Sequence, residues 1–244
     1  IFYGDLRQAA FKALGLNWIY VAMPVAPEEL AEAIAGARAL GFVGLNVTIP
    51  HKQAVAMLMD RLDPTAEAIG AVNTIVFSPE GTVGHNTDAE GYTATVEAES
   101  AFRFKRQTVL QLGAGGVGRA MAAGAAAAGA DRVMIFARRP EKAAALAESL
   151  GRHYPKVTFE AVVGESALSE ATAAAGLIAN ATPLGMKADD PLPLPEGLIH
   201  PDHTVFDTVY IPARTRLLET ARTRGASDVE GVGMLVRQGA RSLN

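Results

Sequence analysis

The stretch Gly113-Ala114-Gly115-Gly116-Val117-Gly118 decides the fold of this 244-residue chain. It fits the pattern GxGxxG, follows the short apolar run Thr108 to Leu112, and opens an alanine-rich segment of helical composition. The first glycine permits a tight turn, the second lets backbone N–H groups approach a pyrophosphate, and the third permits close helix packing. Because a strand precedes the motif and a helix follows it, the pattern predicts a dinucleotide-binding unit, with a purely structural glycine turn as the alternative. The candidate cofactor residues of this turn are Gly113, Ala114, Gly115, Gly116 and Val117.

The end of the next predicted strand indicates which dinucleotide binds. NAD sites usually carry Asp or Glu at this position, where the carboxylate accepts a hydrogen bond from the ribose 2′-hydroxyl. The sequence here is Ala137-Arg138-Arg139, without an acidic residue. Two guanidinium groups can bind a 2′-phosphate through charge-assisted, often bidentate contacts. The sequence therefore predicts NADP, with Ala137, Arg138 and Arg139 beside it; the alternative is a pair of solvated arginines.

Strand-like and helix-like segments alternate through the second part of the chain. Further strands are predicted at Arg132 to Phe136, Val157 to Ala161, Gly176 to Ala179 and Thr204 to Asp207. This alternation is typical of a doubly wound α/β sheet. The charged stretch from Arg103 to Gln107 precedes it and marks a boundary between domains.

The whole chain is predicted to be an α/β protein of two domains. Residues 1–100, completed by residues 229–244, form the predicted substrate-binding domain, and residues 101–228 form the Rossmann-like NADP-binding domain. In the first domain the pattern predicts βαβ units and a mostly parallel sheet. Its predicted segments are strands at Trp18 to Met23, Gly44 to Ile49 and Ala71 to Phe77, helices at Pro27 to Leu40 and Lys52 to Leu62, and a turn at Ser78 to Gly84.

Three polar clusters lie next to predicted strands or turns of the first domain. They are Asn46-Val47-Thr48-Ile49-Pro50-His51-Lys52, Ala71-Val72-Asn73-Thr74 and Asn86-Thr87-Asp88. Ligands bind where strands end, and these side chains supply donors and acceptors suited to several hydroxyl groups. Lys52 and Asp88 are a candidate acid–base pair, since a lysine near a carboxylate can exchange a proton with a developing alkoxide. Taken singly, Lys52 also fits a surface lysine and Asp88 a helix N-cap.

Seven motifs in one order resemble those of shikimate dehydrogenases, from about Ala9 to the end of the chain. They are Asn46 to Lys52, Gly70 to Thr74, Asn86 to Asp88 with Gly91, the glycine turn, Asn180-Ala181-Thr182-Pro183-Leu184-Gly185-Met186, Asp207-Thr208-Val209-Tyr210, and Gly231-Val232-Gly233-Met234-Leu235-Val236-Arg237-Gln238.

The resemblance implies reversible reduction of 3-dehydroshikimate to shikimate by NADPH, on the way to chorismate and the aromatic amino acids. It implies that Lys52 and Asp88 are the catalytic pair and also contact the substrate, together with Thr48, Asn73, Tyr210 and Gln238. Thr208 and Gly231 match positions beside the nicotinamide half of the cofactor, and Thr182 matches a position on the cofactor side of the cleft.

The chain departs from the family pattern near its start. Family members have a strand, a turn and a His-Ser-x-Ser-Pro loop whose serines bind the substrate carboxylate, whereas here Ile1 to Asp5 is followed at once by the helix-like run Leu6 to Phe11. We expect Ile1 to Asp5 to be the strand and turn, with a break in the chain at Asp5–Leu6. A continuous bond there predicts weak shikimate binding, because the carboxylate loses its hydroxyl donors. Family members also continue with a further helix after Gln238, and usually carry Asn in place of Ala137.

Composition narrows the class of function. A net charge of −4 gives no basic surface for nucleic acid, and the absence of cysteine excludes thiolate chemistry. The alanine-rich stretch Ala120 to Ala130 is too short to cross a membrane, so a cytoplasmic protein is expected. The five histidines are scattered, which predicts no metal site. A monomer and a homodimer fit the sequence equally well.

Two other functions fit part of the sequence. A quinate dehydrogenase, or a dual quinate/shikimate dehydrogenase, would use the same scaffold, although the arginines at 138 and 139 argue against strong NAD preference. A non-catalytic binding or regulatory protein would keep the fold and the ligand without turnover. The presence of both Lys52 and Asp88 disfavours the second alternative.

Overall fold

The computed structural model describes residues 2–48 and 50–243, which form two compact units. The first unit comprises Ile1–Thr87 and Gln238–Asn244, and the second comprises Asp88–Arg237. The sequence boundary at residue 100 lies one helix later than this division. The functional assignment of each unit stays a prediction.

The first unit contains a four-stranded mixed sheet with the strand order β1-β3-β4-β2. Strand β3 is antiparallel to both β1 and β4, and β2 is parallel to β4. Apolar side chains from α2, α3 and the strands form its core. The elements are α1 (Phe2–Ala13), a 3-10 helix (Pro27–Glu29), α2 (Leu30–Ala39), β1 (Gly44–Asn46), α3 (Lys52–Ala56), β2 (Arg61–Leu62), α4 (Pro64–Ile69), β3 (Thr74–Ser78) and β4 (Gly81–His85).

The prediction of a mostly parallel sheet in this part of the chain is wrong. The segment predicted as a turn, Ser78 to Gly84, is a hairpin in which only two residues separate β3 from β4. A connection this short can join only antiparallel strands. Gly81 begins β4 with φ +133°, a conformation that glycine adopts readily. The predicted helix from Lys52 ends at Ala56, and α4, capped by Asp63 Oδ1 accepting from Ala66 N at 2.7 Å, was not predicted.

The predicted strand from Trp18 to Met23 is also wrong, since these described residues join no sheet. Gln8 of helix α1 bonds this segment instead. Its Nε2 donates to Trp18 O and its Oε1 accepts from Tyr20 N, both at 3.2 Å. A side chain thus satisfies backbone groups that a neighbouring strand would otherwise have bonded.

Helix α1 corrects the expectation of a strand and turn near the start of the chain, because one helix runs from Phe2 to Ala13. The expected break at Asp5–Leu6 stays a prediction. From this helix the buried side chain of Arg7 donates to Gly239 O and to Ser242 Oγ. These bonds attach the last residues of the chain to the first unit.

The second unit contains a six-stranded, wholly parallel sheet in the order β10-β9-β8-β5-β6-β7. The prediction of a doubly wound α/β fold is confirmed here. Strands β5, β6 and β9 have the predicted bounds, β7 and β8 are shifted by one residue, and β10 was not predicted. The elements are α5 (Asp88–Glu99), β5 (Thr108–Leu112), α6 (Gly116–Ala127), β6 (Arg132–Phe136), α7 (Pro140–His153), β7 (Thr158–Val162), α8 (Glu165–Ala174), β8 (Leu177–Asn180), a 3-10 helix (Glu196–Leu198), β9 (Thr204–Asp207), α9 (Arg216–Thr223), β10 (Ser227–Val229) and α10 (Gly231–Arg241).

Helix α5 belongs to the second unit because it packs closely on α6. A Cβ atom placed on Gly124 would lie only 2.7 Å from Ala89 O, so the two backbones meet without an intervening side chain. Tyr92 of the same helix is fully buried, with ring centroids 5.4 Å from Phe104 and 5.0 Å from Phe206. Such aromatic contacts add to the apolar burial that holds α5 on this unit.

Candidate functional site

The glycine turn follows β5 and opens α6, as its sequence predicts. Gly113 has φ +108°, and its N–H donates to Phe136 O at the end of β6, at 2.7 Å. Gln111 Nε2 donates to Gly113 O at 2.8 Å. A Cβ atom on Gly118 would lie 2.5 Å from Gly113 O, so the first turn of α6 lies directly on this loop. Gly113 and Gly118 therefore shape the turn itself.

Gly115 and Gly116 differ from these two glycines, since a Cβ on either would meet nothing within 4 Å. Gly115 is the N-cap of α6, which runs for 12 residues. Backbone N–H groups at such a helix start lack partners in the helix, and together with the helix dipole they attract anions. The open space above Gly115 fits a dinucleotide pyrophosphate lying against these N–H groups.

The residues predicted to select NADP follow β6. Arg138 and Arg139 are exposed, and Ala137 is half-buried. Arg139 is also the N-cap of α7. Because Gly113 N bonds to Phe136 O, the end of β6 lies beside the glycine turn. Two exposed guanidinium groups at this position fit a phosphate on the ribose next to a pyrophosphate.

Strands β8 and β9 bring further predicted cofactor residues to the same edge of the sheet. Leu112 of β5 pairs in register with Asn180, and Asn180 pairs with Asp207. Asn180 Oδ1 accepts from Thr182 N at 3.0 Å and from Thr182 Oγ1 at 2.7 Å. Asn180 O accepts from Thr208 N at 3.1 Å. The structure thus brings Thr182 and Thr208 together through Asn180.

Gly231 starts helix α10 at this edge. A Cβ on Gly231 would lie 2.5 Å from Asp207 O and 2.6 Å from Thr208 O, both backbone atoms that cannot move aside cheaply. Glycine is therefore required where the helix begins.

The carboxylate of Asp207 is fully buried. Burial raises its pKa, while hydrogen bonds from Thr215, Val209 and Asn180 oppose the shift. In the sequence Asp207 stands out only as the first residue of its motif, so it was not predicted to be functional.

In the first unit, Asn73 is the centre of a polar cluster. Its buried side chain receives a 3.0 Å hydrogen bond from Thr87 N at Oδ1, and its Nδ2 donates to Thr87 Oγ1 at 3.1 Å. Thr87 Oγ1 also donates to Gln238 O at 3.0 Å, and Gln238 Oε1 lies 3.5 Å from the same hydroxyl. The structure therefore joins two predicted substrate residues, Asn73 and Gln238, through Thr87.

Thr87 is a residue that sequence reasoning missed as a candidate, although it lies within the motif Asn86-Thr87-Asp88. Nothing in the pattern indicated that its hydroxyl, rather than its neighbours, would bridge the cluster. The signal that could have found it is its position directly before Asp88, in a motif of three polar residues.

Thr48 and Lys52 are connected to the same cluster through the backbone. Val47 N donates to Asn73 O, and Val72 N donates to Lys52 O, both at 2.8 Å. These bonds place the residues before and at the start of α3 beside the residues that begin β3. Thr48 is exposed and Lys52 is half-buried. Thr48, Lys52, Asn73 and Gln238 therefore share one region of the first unit.

Two other predicted substrate residues belong to the second unit. Asp88 directly follows Thr87 in sequence and is the first residue of α5. It is buried, with only 7% of its surface exposed. Tyr210 is 40% exposed and follows β9. Burial of a carboxylate at a helix start is unusual unless it is bonded, and helix N-termini stabilise negative charge. The roles of Asp88 and Tyr210 stay predictions.

Within residues 2–48 and 50–243, no group of three or more metal-binding side chains comes together. No helix within those residues has the length and apolar character needed to cross a membrane.

Comparison with known proteins supplies two family matches and several close relatives. The substrate-binding domain of shikimate dehydrogenase matches residues 5–75, and the family described as NADP oxidoreductase, coenzyme F420-dependent, matches residues 108–178. The NADP(+) shikimate dehydrogenase of Methanopyrus kandleri is 45% identical over 96% of this chain and 82% of its own length.

Solved structures show the same likeness. A shikimate dehydrogenase crystal structure in complex with NADP+ is 38% identical, with a TM-score of 0.90 over 99% of this chain and 83% of that one. A quinate dehydrogenase from Corynebacterium glutamicum in complex with NAD is 32% identical, with a TM-score of 0.89 over 98% of this chain and 86% of that one.

The parallel sheet, its glycine turn and the oxidoreductase match define the class of protein, an α/β oxidoreductase with a dinucleotide-binding unit. The identity to the M. kandleri enzyme extends over both units. The chain belongs to the shikimate dehydrogenase family, as the seven motifs of the sequence indicated.

Proposed function

We propose that this protein catalyses the reversible, NADP-dependent interconversion of shikimate and 3-dehydroshikimate. The observation that carries the proposal is the hydrogen-bonded cluster of Asn73, Thr87 and Gln238, which gathers amide and hydroxyl groups from distant parts of the chain. A substrate with several hydroxyl groups needs such a set of donors and acceptors. The 45% identity to a named NADP(+) shikimate dehydrogenase supports the same substrate.

The residues of the glycine turn and the arginines after β6 fit NADP. When bound, NADP+ accepts a hydride from the carbinol carbon of shikimate, and NADPH returns it in the reverse direction. Gly115 leaves room for the pyrophosphate. Arg138 and Arg139 hold the 2′-phosphate, and Thr182, Thr208 and Gly231 border the nicotinamide half. The full proposed cofactor set is Gly113, Ala114, Gly115, Gly116, Val117, Ala137, Arg138, Arg139, Thr182, Thr208 and Gly231.

Lys52 and Asp88 exchange the hydroxyl proton of the substrate. Oxidation of shikimate releases this proton to the pair as the hydride leaves carbon, and reduction takes the proton back. Thr48, Asn73, Tyr210 and Gln238 bind the hydroxyl and carboxylate groups and so orient the reacting carbon. Residues 1–100 with 229–244 stay the proposed substrate-binding part and residues 101–228 the proposed NADP-binding part, with Tyr210 and Gly231 as the residues that serve the other ligand.

The test is reduction of NADP+ by shikimate, followed through the nicotinamide absorbance, in the wild type, Lys52→Ala and the matched control Lys156→Ala. Lys156 is exposed in a turn of the second unit. An acid–base residue typically contributes about 100-fold or more to the rate, so Lys52→Ala should lose at least that much while binding NADP+ normally. Equal turnover by wild type and Lys52→Ala would refute the assigned role, and no turnover by the wild type would refute the reaction.

A quinate or dual quinate/shikimate dehydrogenase is the second candidate, favoured by the likeness to the quinate dehydrogenase of C. glutamicum. Quinate carries an extra hydroxyl group, which needs its own partner in the pocket. Steady-state kinetics of both acids with NAD+ and NADP+ would separate the two. Ligand binding without turnover on either acid would instead indicate a non-catalytic binding protein. A cytoplasmic location and a monomeric or homodimeric state stay predictions.

A further inference from the structure

A buried hydrogen-bond network lies beneath the residues proposed to border the nicotinamide. Asp207, at the end of β9, accepts from three donors: Thr215 Oγ1 at 2.6 Å, Asn180 Nδ2 at 2.9 Å and Val209 N at 3.0 Å. These donors come from the strand beside it, the turn after it and the start of α9. Thr215 Oγ1 in turn accepts from Leu218 N at 3.3 Å, as the N-cap of that helix.

Each residue proposed to border the nicotinamide half of the cofactor is linked to Asp207 by one or two contacts. Asn180, held through its Nδ2 by Asp207, uses Oδ1 to bind both the backbone and the hydroxyl of Thr182. The bond from Val209 N closes the backbone around Thr208. Gly231 lies directly against Asp207 O. The carboxylate of Asp207 thus connects Thr182 and Thr208, and its backbone carbonyl lies against Gly231.

A carboxylate suits this position because it only accepts hydrogen bonds, and all three neighbouring groups can donate. An uncompensated charge here would be costly, since the side chain is fully buried. A structural role and a positioning role for this carboxylate have different consequences. Removing a purely structural acceptor lowers the amount of folded protein, whereas removing a positioning acceptor changes how the folded protein binds the cofactor.

We propose that Asp207 is a positioning residue for the nicotinamide end of the cofactor, acting through Asn180 and Val209 on Thr182 and Thr208. It touches neither substrate nor cofactor, and its carboxylate sets the angle at which the two threonines face the ligand. The proposal rests on the proposed function for the identity of the ligand. The network itself is independent of which acid is oxidised.

The experiment compares the wild type, Asp207→Asn and the matched control Asp228→Asn. Asp228 lies on the adjacent strand β10 and pairs with Arg214 at 2.8 Å, outside the network. Asn at 207 keeps the shape but puts an NH2 group where an acceptor is needed, so NADP+ should bind about 10-fold more weakly by calorimetry. The KM for shikimate should stay unchanged. With shikimate deuterated at the carbinol carbon, the isotope effect on kcat should rise, because a misplaced nicotinamide slows hydride transfer. Asp228→Asn should match the wild type in all three measurements.

A second pair of variants covers the case in which Asp207→Asn fails to fold. Thr215→Val removes one hydrogen-bond donor to Asp207 and leaves the Asp207 carboxylate itself in place, and Thr215→Ser keeps the hydroxyl group. Weaker NADP+ binding in Thr215→Val, with rescue in Thr215→Ser, supports the proposal. Unchanged NADP+ affinity and isotope effect per folded molecule, in whichever variant folds, would overturn it. NADP+ affinity tests the network even if the wild type oxidises no shikimate, so failure of the proposed function is seen separately.

Discussion

The hydroxyl of Thr87 donates to the backbone carbonyl of Gln238 across 151 positions of sequence, while the same hydroxyl is bonded to Asn73. Thr87 thereby fixes the end of α10 against the start of β3. Gln238 and Asn73 are both proposed to bind substrate. Their mutual position depends on a residue to which no role had been assigned.

Thr87→Val should therefore raise the KM for shikimate. Valine has the shape of threonine but cannot bond Gln238 O or the Asn73 side chain. Loss of a net hydrogen-bond free energy of about 0.5–1.5 kcal/mol corresponds to a rise of about 2- to 13-fold. Thr87→Ser, which keeps the hydroxyl, is the control. Steady-state kinetics with shikimate varied at saturating NADP+ is the measurement, and equal KM values for Val and Ser would contradict the expectation.

Gly115→Ala and Gly118→Ala should separate ligand binding from folding within one motif. A methyl group on Gly115 enters open space, so the melting temperature should hold while NADP+ affinity falls. A methyl on Gly118 would lie 2.5 Å from Gly113 O, so this variant should unfold at a lower temperature. Overpacking of this kind reduces the free energy of unfolding by about 1–3 kcal/mol. Thermal unfolding and NADP+ calorimetry on both proteins check the pair. Normal NADP+ binding by Gly115→Ala would place the pyrophosphate elsewhere.

Tyr92→Phe should stabilise the protein. The hydroxyl of Tyr92 is buried without a hydrogen-bond partner among the described residues, and this burial raises the pKa of the phenol. An unsatisfied buried polar group costs about 1–3 kcal/mol, and the variant removes that group while keeping the ring contacts with Phe104 and Phe206. Urea unfolding would show the midpoint rising with an unchanged slope. A lower midpoint would mean that the hydroxyl is bonded in solution.

The pH dependence of stability should differ in sign between Asp207 and Asp60. Burial raises the pKa of Asp207 above 3.8, so the folded state binds its proton more tightly than the unfolded state. Its contribution to stability is therefore full below the unfolded pKa and lost as pH rises through the folded pKa. The pKa of Asp60 is lowered, chiefly by the hydrogen bond from Thr82 N, so its contribution is present above the unfolded pKa and lost as pH falls.

The measurement is the melting temperature of wild type minus that of Asp207→Asn, from about pH 7 to about pH 4. This difference should grow as pH falls, because only the wild type regains a neutral carboxyl. The corresponding difference for Asp60→Asn should shrink toward the acid end. The same sign for both variants would show that one of the two environments has been misassigned.

Five of the six strands of the second unit could be predicted closely because each is a short, mostly apolar run bounded by turn residues, whereas β10, Ser227–Val229, is largely polar and was missed. Arg132–Phe136 and Thr204–Asp207 are parallel strands covered on both faces, so composition alone marks them. In the first unit, Trp18 to Met23 has a similar composition but joins no sheet among the described residues. Whether such a run becomes a strand depends on a partner, which composition does not reveal.

The candidate residues could be predicted where a motif concentrates them, as in the glycine turn. Thr87 was missed because its hydroxyl bonds Gln238, which is 151 positions away. Asp207 was missed because the sequence does not show that its carboxylate is buried among three donors. A buried carboxylate with three donors looks, in sequence, the same as an aspartate at the end of any strand.

The division of the chain has a consequence for its synthesis on the ribosome. The second unit is one uninterrupted segment, whereas the first needs residues 238–244, held by Arg7, to complete its cluster. Asn73 and Thr87 therefore leave the ribosome long before Gln238 exists. The dinucleotide unit can fold as it emerges, because domains fold as units during translation. The cluster of Asn73, Thr87 and Gln238 therefore cannot form until the whole of the second unit has been synthesised.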